Sequence, residues 1–323
     1  MFGGGGGGSS KSNNGKDLPR DVKDAVSKCR ASVQEALQNR ISRMDVEMPV
    51  GAKYGVEKTP KRKKGSSGAG GDLQEGGPTL EVLETSDREL ARLFVEMFQP
   101  LGGENIAVVF NEAYQAEAAK KRWKGDSSAR SNVLTLGRRK GGAAGKGGAS
   151  GKKKKTKSKG FAAKLAEEMG DDKSLSSSGP FRLPDKTEVA IFVTPGPKEL
   201  VIIEKICNEV GMGTLVILLN ARLSRIDNFG TEATRELFLN EFESVFHLSS
   251  ADQAVAPGCL LHRAYPGDWT IARKPKVGQP VVLGSSTDRP STSDYEKAYE
   301  SIEVDALEKT VDGVFETVTG WFG

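Results

Sequence analysis

The stretch Glu188–Leu219, EVAIFVTPGPKELVIIEKICNEVGMGTLVILL, decides the fold. Residues 188–194 read as a strand, apolar at every position from Val189 to Val193, that enters the turn Thr194-Pro195-Gly196-Pro197. Leu200, Ile203, Ile206, Cys207 and Val210 then recur at helical spacing, and Gly211-Met212-Gly213 reads as the helix stop. A second apolar run, 214–219, completes a β-α-β unit. Runs that are apolar at every position, not at alternate ones, belong to strands covered on both faces, as in a parallel sheet. Such a crossover is nearly always right-handed.

Working outward, the same texture appears on both sides of this unit. Asp17-Leu18-Pro19 predicts a helix start, followed by Val22, Ala25, Val26, Cys29, Val33, Ala36 and Leu37 on one face. Met44-Asp45-Val46-Glu47-Met48 alternates as a strand does and is closed by Pro49. Ser86-Asp87-Arg88-Glu89 matches a capping box ahead of Leu90, Leu93, Phe94, Met97 and Phe98. Residues 106–110 form another apolar run, Asn111 is placed to cap a helix reaching Trp123, and residues 132–136 form a further strand. After the central unit, Thr231 opens a predicted helix carrying Leu237, Phe238, Phe242, Val245 and Phe246. A hairpin over 259–274 turns at Pro266-Gly267-Asp268. The expectation is an α/β fold, three-layered and Rossmann-like, with a mostly parallel sheet and an antiparallel hairpin at its edge.

One tract interrupts this texture. Residues 138–159 hold ten Lys or Arg and no acid, so the +4 charge of the 323-residue chain conceals a body with 37 basic against 43 acidic residues. The lysine tract should repel itself and stay unfolded. The expected organisation is a Gly/Ser leader over 1–16 and one α/β body over 17–290. That body contains a flexible loop at 51–77 and the basic insert at 137–160, the latter followed by a short helix at 161–169. Lys152, Lys153, Lys154 and Lys155 form an electrostatic arm for an anionic partner, or simply a solvated loop. The tract lacks the aromatic residues on which single-stranded nucleic acid would stack, so any such contact would be sequence-blind and salt-sensitive.

The last segment, 291–323, reads as an acidic amphipathic helix with Leu307, Val311, Phe315, Val318, Trp321 and Phe322 on one stripe. That stripe either packs on its own domain or docks on a partner, and its acidic face argues against simple attraction to anionic lipid. Cys29, Cys207 and Cys259 lie far apart, which suits a reducing compartment better than a disulfide framework. No apolar run approaches the length of a membrane span.

Ligands of parallel sheets collect beyond the carboxyl ends of the strands, where this chain places Asn111, Thr194, Gly196, Asn220 and Arg222. Gly196 permits close backbone approach, and Arg222 or Arg225 could meet an anion at the following helix start. The bland alternative is that these residues are ordinary caps and turns. Neither dinucleotide nor P-loop glycine fingerprint follows a strand, and His247 and His262 sit in no ligand or triad motif. No metal site, catalytic set or cofactor is expected.

The order of several motifs resembles a known family. These are Leu18-Pro19 with the following helix, Arg43-x-x-x-Glu47-x-Pro49, Leu218-Leu219-Asn220-Ala221-Arg222-Leu223 and Arg263-Ala264-Tyr265-Pro266-Gly267-Asp268-Trp269. Together they are similar to the plastid and cyanobacterial family of unknown-function domains that includes the low-photosystem-II-accumulation assembly factor. A similar domain is appended to a chloroplast adenylate kinase. The resemblance implies a non-enzymatic auxiliary protein of the plastid stroma, associated with thylakoids, that assists photosystem II assembly or maintenance through protein partners and a peripheral membrane contact. Asn220, Arg222, Arg263, Tyr265 and Trp269 are the matching positions, nominated as a ligand or partner surface. The rival readings are an enzyme or sensor that binds a phosphorylated metabolite at the strand ends and, ranked last, nucleic-acid binding through the lysine-rich loops.

Overall fold

The computed structural model describes residues 18–54, 79–136, 181–251, 254–273 and 280–301. Helix α1 (Val22–Gln38) is capped by Asp21, whose carboxylate accepts the Asp24 amide at 2.8 Å. The helix therefore begins later than Asp17-Leu18-Pro19 suggests, and Leu18 is spent on the core instead. Then follow β1 (Arg43–Glu47), α2 (Leu80–Met97), β2 (Ile106–Phe110), α3 (Ala113–Arg122), β3 (Asn132–Thr135) and β4 (Val189–Val193). The chain continues with α4 (Pro197–Val210), β5 (Leu215–Leu219), α5 (Glu232–Glu236), β6 (Glu243–Ser250), β7 (Cys259–Ala264), β8 (Trp269–Arg273), β9 (Val281–Ser286) and α6 (Thr292–Glu300).

All nine strands join one sheet in the order β3-β2-β4-β5-β1-β6-β7-β8-β9. The first six run parallel and the last three are added antiparallel at one edge. Strands from before and after the lysine tract interleave, since β4 lies beside β2 and β1 lies between β5 and β6. The sheet is thus continuous across the tract.

Two apolar layers cover it. On one face Ala25, Cys29, Val33 and Ala36 of α1, Leu90 and Phe94 of α2, and Ala116 of α3 pack on Met44, Val46, Val108 and Ile191. On the other, Leu200, Ile203, Ile206 and Cys207 of α4 meet Val109, Phe192, Val216 and Leu218. Successive residues of β4 alternate between the two clusters, as pleated backbone requires. Along β7 and β8, Leu261, Trp269 and Ile271 carry the second face outward, where Tyr295 and Ala298 of α6 close over them.

Three local expectations differ from what forms. Ser86 does not cap a helix, because α2 starts at Leu80; Ser86 lies within it and donates to the Ala52 carbonyl at 2.8 Å. The polar pair of the apparent capping box was instead placed on the inward side, with both Ser86 and Glu89 buried. Asn111 does not cap α3, whose N-cap residue is Glu112. Val245 and Phe246 leave the helical register begun at Thr231: α5 passes into a π turn over Leu237–Glu241 and the chain extends into β6. A shift in the β1–β6 register between Asp45 and Val46 sends both side chains to the same core, which is why helical spacing imitates this strand. Finally, the described part of the C-terminal segment is helical over α6, and Tyr295 and Tyr299 pack on the sheet domain. The short helix expected at 161–169 lies outside the described residues.

Candidate functional site

A central parallel strand should be apolar on both faces, and β1 is not. Met44 and Val46 point to the α1 and α2 layer, which leaves Asp45 and Glu47 on the opposite face, 3% and 4% exposed. Strand pairing extends this row sideways: Glu47 lies opposite His247 of β6, and His247 opposite Arg263 of β7. Trp269 of β8 leans back over the row, its ring centroid 5.1 Å from that of His247. The guanidinium of Arg263 lies 5.4 Å from the Trp269 ring centre and that of Arg289, just beyond β9, lies 5.0 Å from it.

The loop that leaves β5 forms the rim. Asn220 and Arg222 both adopt left-handed backbone angles, with φ of 54° and 50°. Non-glycine residues hold this conformation where surrounding bonds enforce it. At Asn220 the bonds are visible: its side-chain oxygen accepts the Met48 amide at 2.8 Å and its amide group donates to Asp87 of α2 at 2.9 Å. Arg222, exposed Arg225 and exposed Arg289 gather around Glu47, close enough for all three charges to act on its carboxyl. Arg289 is steered there by a hydrogen bond to Ser224 Oγ at 2.8 Å.

Burial dominates the electrostatics. It pushes the Asp45 carboxyl up to about 7, helped by neighbouring Glu47 and opposed by Arg289. Glu47 is raised for the same reason, against the pull of Arg289, Arg225 and Arg222. Asp87 is pushed up to about 6, with the Asn220 bond and Arg222 opposing. His247 is held well below its ordinary value by burial and by Arg289, His262 and Arg225. Its Nδ1 sits 3.5 Å from Glu47 Oε2, a distance that would count as an ion pair only with a protonated ring. The ring is neutral, so this is a contact between an imidazole and a carboxyl, and His247 Nε2 pairs with Ser249 Oγ at 2.8 Å. Asp45 Oδ1, Glu47 Oε2, His247 Nδ1, Ser244 Oγ and Arg222 Nε are all buried here without a hydrogen-bond partner.

The positions singled out by sequence separate into four groups. Asn220, Arg222, Arg263 and Trp269 belong to this cluster or border it. Asn111, Thr194 and Gly196 stand two and three strands away and serve one another: Asn111 Nδ2 donates to the Thr194 carbonyl at 2.5 Å. Gly196 caps α4, and its amide is already taken by Glu199 at 3.1 Å. Tyr265 turns to the other face, where its hydroxyl accepts from Asn39 at 3.2 Å. Arg43, from the same motif as Glu47, lies at the opposite end of β1 and bonds the Thr214 carbonyl at 2.8 Å, with further bonds to the carbonyls of Ser42, Cys207 and Gly211. It is a structural cap on the end of α4. Lys152, Lys153, Lys154 and Lys155 lie outside the described residues, as do Leu307, Val311, Phe315, Val318, Trp321 and Phe322.

Sequence reasoning passed over Asp45, Glu47, His247, Asp87 and Arg289 as site residues. The signal for the first two was present: acids at alternate positions of a strand that the pattern places inside a doubly covered sheet. Arg289 carried no such signal, because only the fold brings the segment after β9 across to β1.

Fold and site define a three-layer α/β protein with a charged cluster enclosed beside the carboxyl ends of β1 and β5. Among the described residues no helix is long and apolar enough to cross a membrane, and no group of His, Cys, Asp and Glu is arranged to hold a metal ion. The chain belongs to the family described as Domain of unknown function (DUF1995), whose model matches residues 19–297. Searches of curated proteins and of solved structures gave no match.

Proposed function

We propose that the protein is a non-enzymatic auxiliary factor of the plastid stroma that assists photosystem II assembly or maintenance by binding protein partners at the thylakoid surface. The motif order that resembles an assembly-factor family supports this reading, as does membership of the unknown-function domain family. The observation that carries it is the use to which the strand-end polar groups are put. Asn111 closes on Thr194, Asn220 on Met48 and Asp87, and Arg263 on Glu243 at 2.8 Å. These side chains fix the shape of a rim, which is what a recognition surface needs.

Cross-linking of the full chain in intact plastids, read by mass spectrometry, tests this. Cross-links to photosystem II subunits or their assembly partners are expected. Cross-links confined to soluble metabolic enzymes would overturn the reading. Recovery on thylakoids with and without residues 302–323 separately tests attachment through the terminal segment, and equal recovery would remove that role from it.

A further inference from the structure

The segment that follows β9 lies across the second face of the sheet and is fastened there by little. Thr287, Asp288 and Arg289 are exposed, and α6 behind them buries none of its residues completely. The N-terminus of α6 is closed from within, the Ser291 amide donating to Asp294 Oδ2 at 2.8 Å, so this cap does not hold the helix to the sheet. Tyr295, Ala298 and Tyr299 are its half-buried residues, and they pack on the sheet. Ahead of the helix one guanidinium makes two contacts with other elements. Arg289 Nη2 donates to Ser224 Oγ at 2.8 Å in the loop after β5, and Arg289 Cζ lies 5.0 Å from the centre of the Trp269 ring. What lies beneath the segment is buried and apolar: Cys259 and Leu261 of β7, with Trp269 and Ile271 of β8.

We infer that residues 287–300 form a strap that opens from the sheet as a unit, with Arg289 as its latch and Leu261, Trp269 and Ile271 as the face it uncovers. Segments with few fully buried contacts open locally, at a fraction of the free energy of global unfolding. A helix of 9 residues adds little stability of its own, since isolated helices shorter than about 12 residues are marginal in water. The strap is therefore held closed mainly by its two half-buried tyrosines and by the latch. The latch sets a charged donor against an exposed hydroxyl and adds the contact between guanidinium and indole. By contrast, α1 and α4 each sink several side chains into the core and can leave only with the fold. Opening would bare an apolar face with the Trp269 ring at its centre, still flanked by Arg263 at 5.4 Å. Such a face is available when the strap is off and hidden when it is on. This inference does not depend on the plastid task proposed above.

The cysteines supply a built-in test. All three thiols are free and buried, but Cys259 lies under Tyr295 and Tyr299, whereas Cys29 and Cys207 face the sheet from α1 and α4. The full native chain is treated with excess N-ethylmaleimide near neutral pH, and the rate at each cysteine is read by peptide mass spectrometry. Cys259 should label at least about tenfold faster than Cys29 and Cys207, because it needs only the strap to open. Arg289→Gln should speed Cys259 by a further factor of about ten and leave the other two unchanged. Ser224→Asp sets a carboxylate against the guanidinium, and the stronger charge-assisted bond should slow Cys259 labelling severalfold. Combining Ser224→Asp with Arg289→Gln should abolish that slowing. Labelling of all three cysteines at one rate would overturn the proposal. So would an Arg289→Gln chain, folded by circular dichroism, that leaves Cys259 unchanged, or one that speeds all three cysteines together.

Discussion

The Asn220 side chain accepts the backbone amide of Met48 at 2.8 Å, tying the end of β5 to the residue just past β1 where the strand ladder has run out. The ladder itself finishes with the Asn220 amide donating to Val46 at 2.8 Å. One residue therefore closes the sheet edge with both backbone and side chain, and its second side-chain bond reaches Asp87 on α2.

Substituting Asn220 should destabilise the fold without touching the apolar core. Ala removes both side-chain bonds, leaves the buried Met48 amide unpaired and keeps a Cβ in the left-handed region, for a loss of roughly 2–4 kcal/mol. Gly loses the same bonds but relaxes the backbone at φ 54°. Urea unfolding should therefore rank wild type above Asn220→Gly and Asn220→Gly above Asn220→Ala. Equal stability of wild type and Asn220→Ala would show that the clamp contributes nothing.

Arg43 makes the reverse case, a charged residue in the family-like motif whose work is structural. Its guanidinium collects carbonyls at the end of α4 and the start of β5, satisfying acceptors that the helix leaves open. Arg43→Met should cost about 2–3 kcal/mol. Arg43→Lys should recover only part of that, because one ammonium cannot span the carbonyls that a planar fork spans.

Deleting residues 138–159 should leave the thermal midpoint at or slightly above that of the full chain. The strands before and after this tract are already paired through β2 and β4. The connection between Leu136 and Phe181 would shrink from 44 to 22 residues, and halving a loop lowers its closure cost by only about 0.6 kcal/mol. A clear fall in the midpoint would reveal that the tract contributes contacts which its composition does not suggest.

What could be read from the residues follows from where the physics is local. The unit spanning β4, α4 and β5 was legible because apolar runs and helical spacing report burial directly, and the interleaved sheet follows from a parallel architecture. β6 was not, because Val245 and Phe246 continue the helical spacing begun before them while a register shift, invisible without the partner strand, makes them part of a bulged strand. The site was half legible. Asn220 and Arg222 could be placed at a strand end by sequence, but Glu47, His247, Trp269 and Arg289 come from four separate elements, and only strand order makes them neighbours.

Stability should depend on pH in a way that the buried carboxyls dictate. An acid with a raised folded value keeps its proton longer in the folded chain than in the unfolded one. Its favourable contribution is complete below the unfolded value and is lost as pH rises through the folded value. For Asp45 that loss runs from about 4 to about 7, and for Asp87 from about 4 to about 6, with Glu47 acting in the same direction. His247 acts oppositely: its folded value is depressed, so its contribution to stability is present above the ordinary histidine value of 6.5 and is lost as pH falls below it. Above that value the carboxyls act alone, and acidifying from pH 8 to 6.5 should raise the unfolding free energy; below it His247 offsets part of the gain. The Asp45 share is a few kcal/mol at most, since each unit of difference is worth about 1.4 kcal/mol. Asp45→Asn keeps the shape and removes the titration, so its urea midpoint should vary less between pH 6.5 and 8 than that of wild type. A wild-type midpoint that rises with pH over that range would mean that Asp45 and Glu47 are ionised in the fold and paired with the arginines after all.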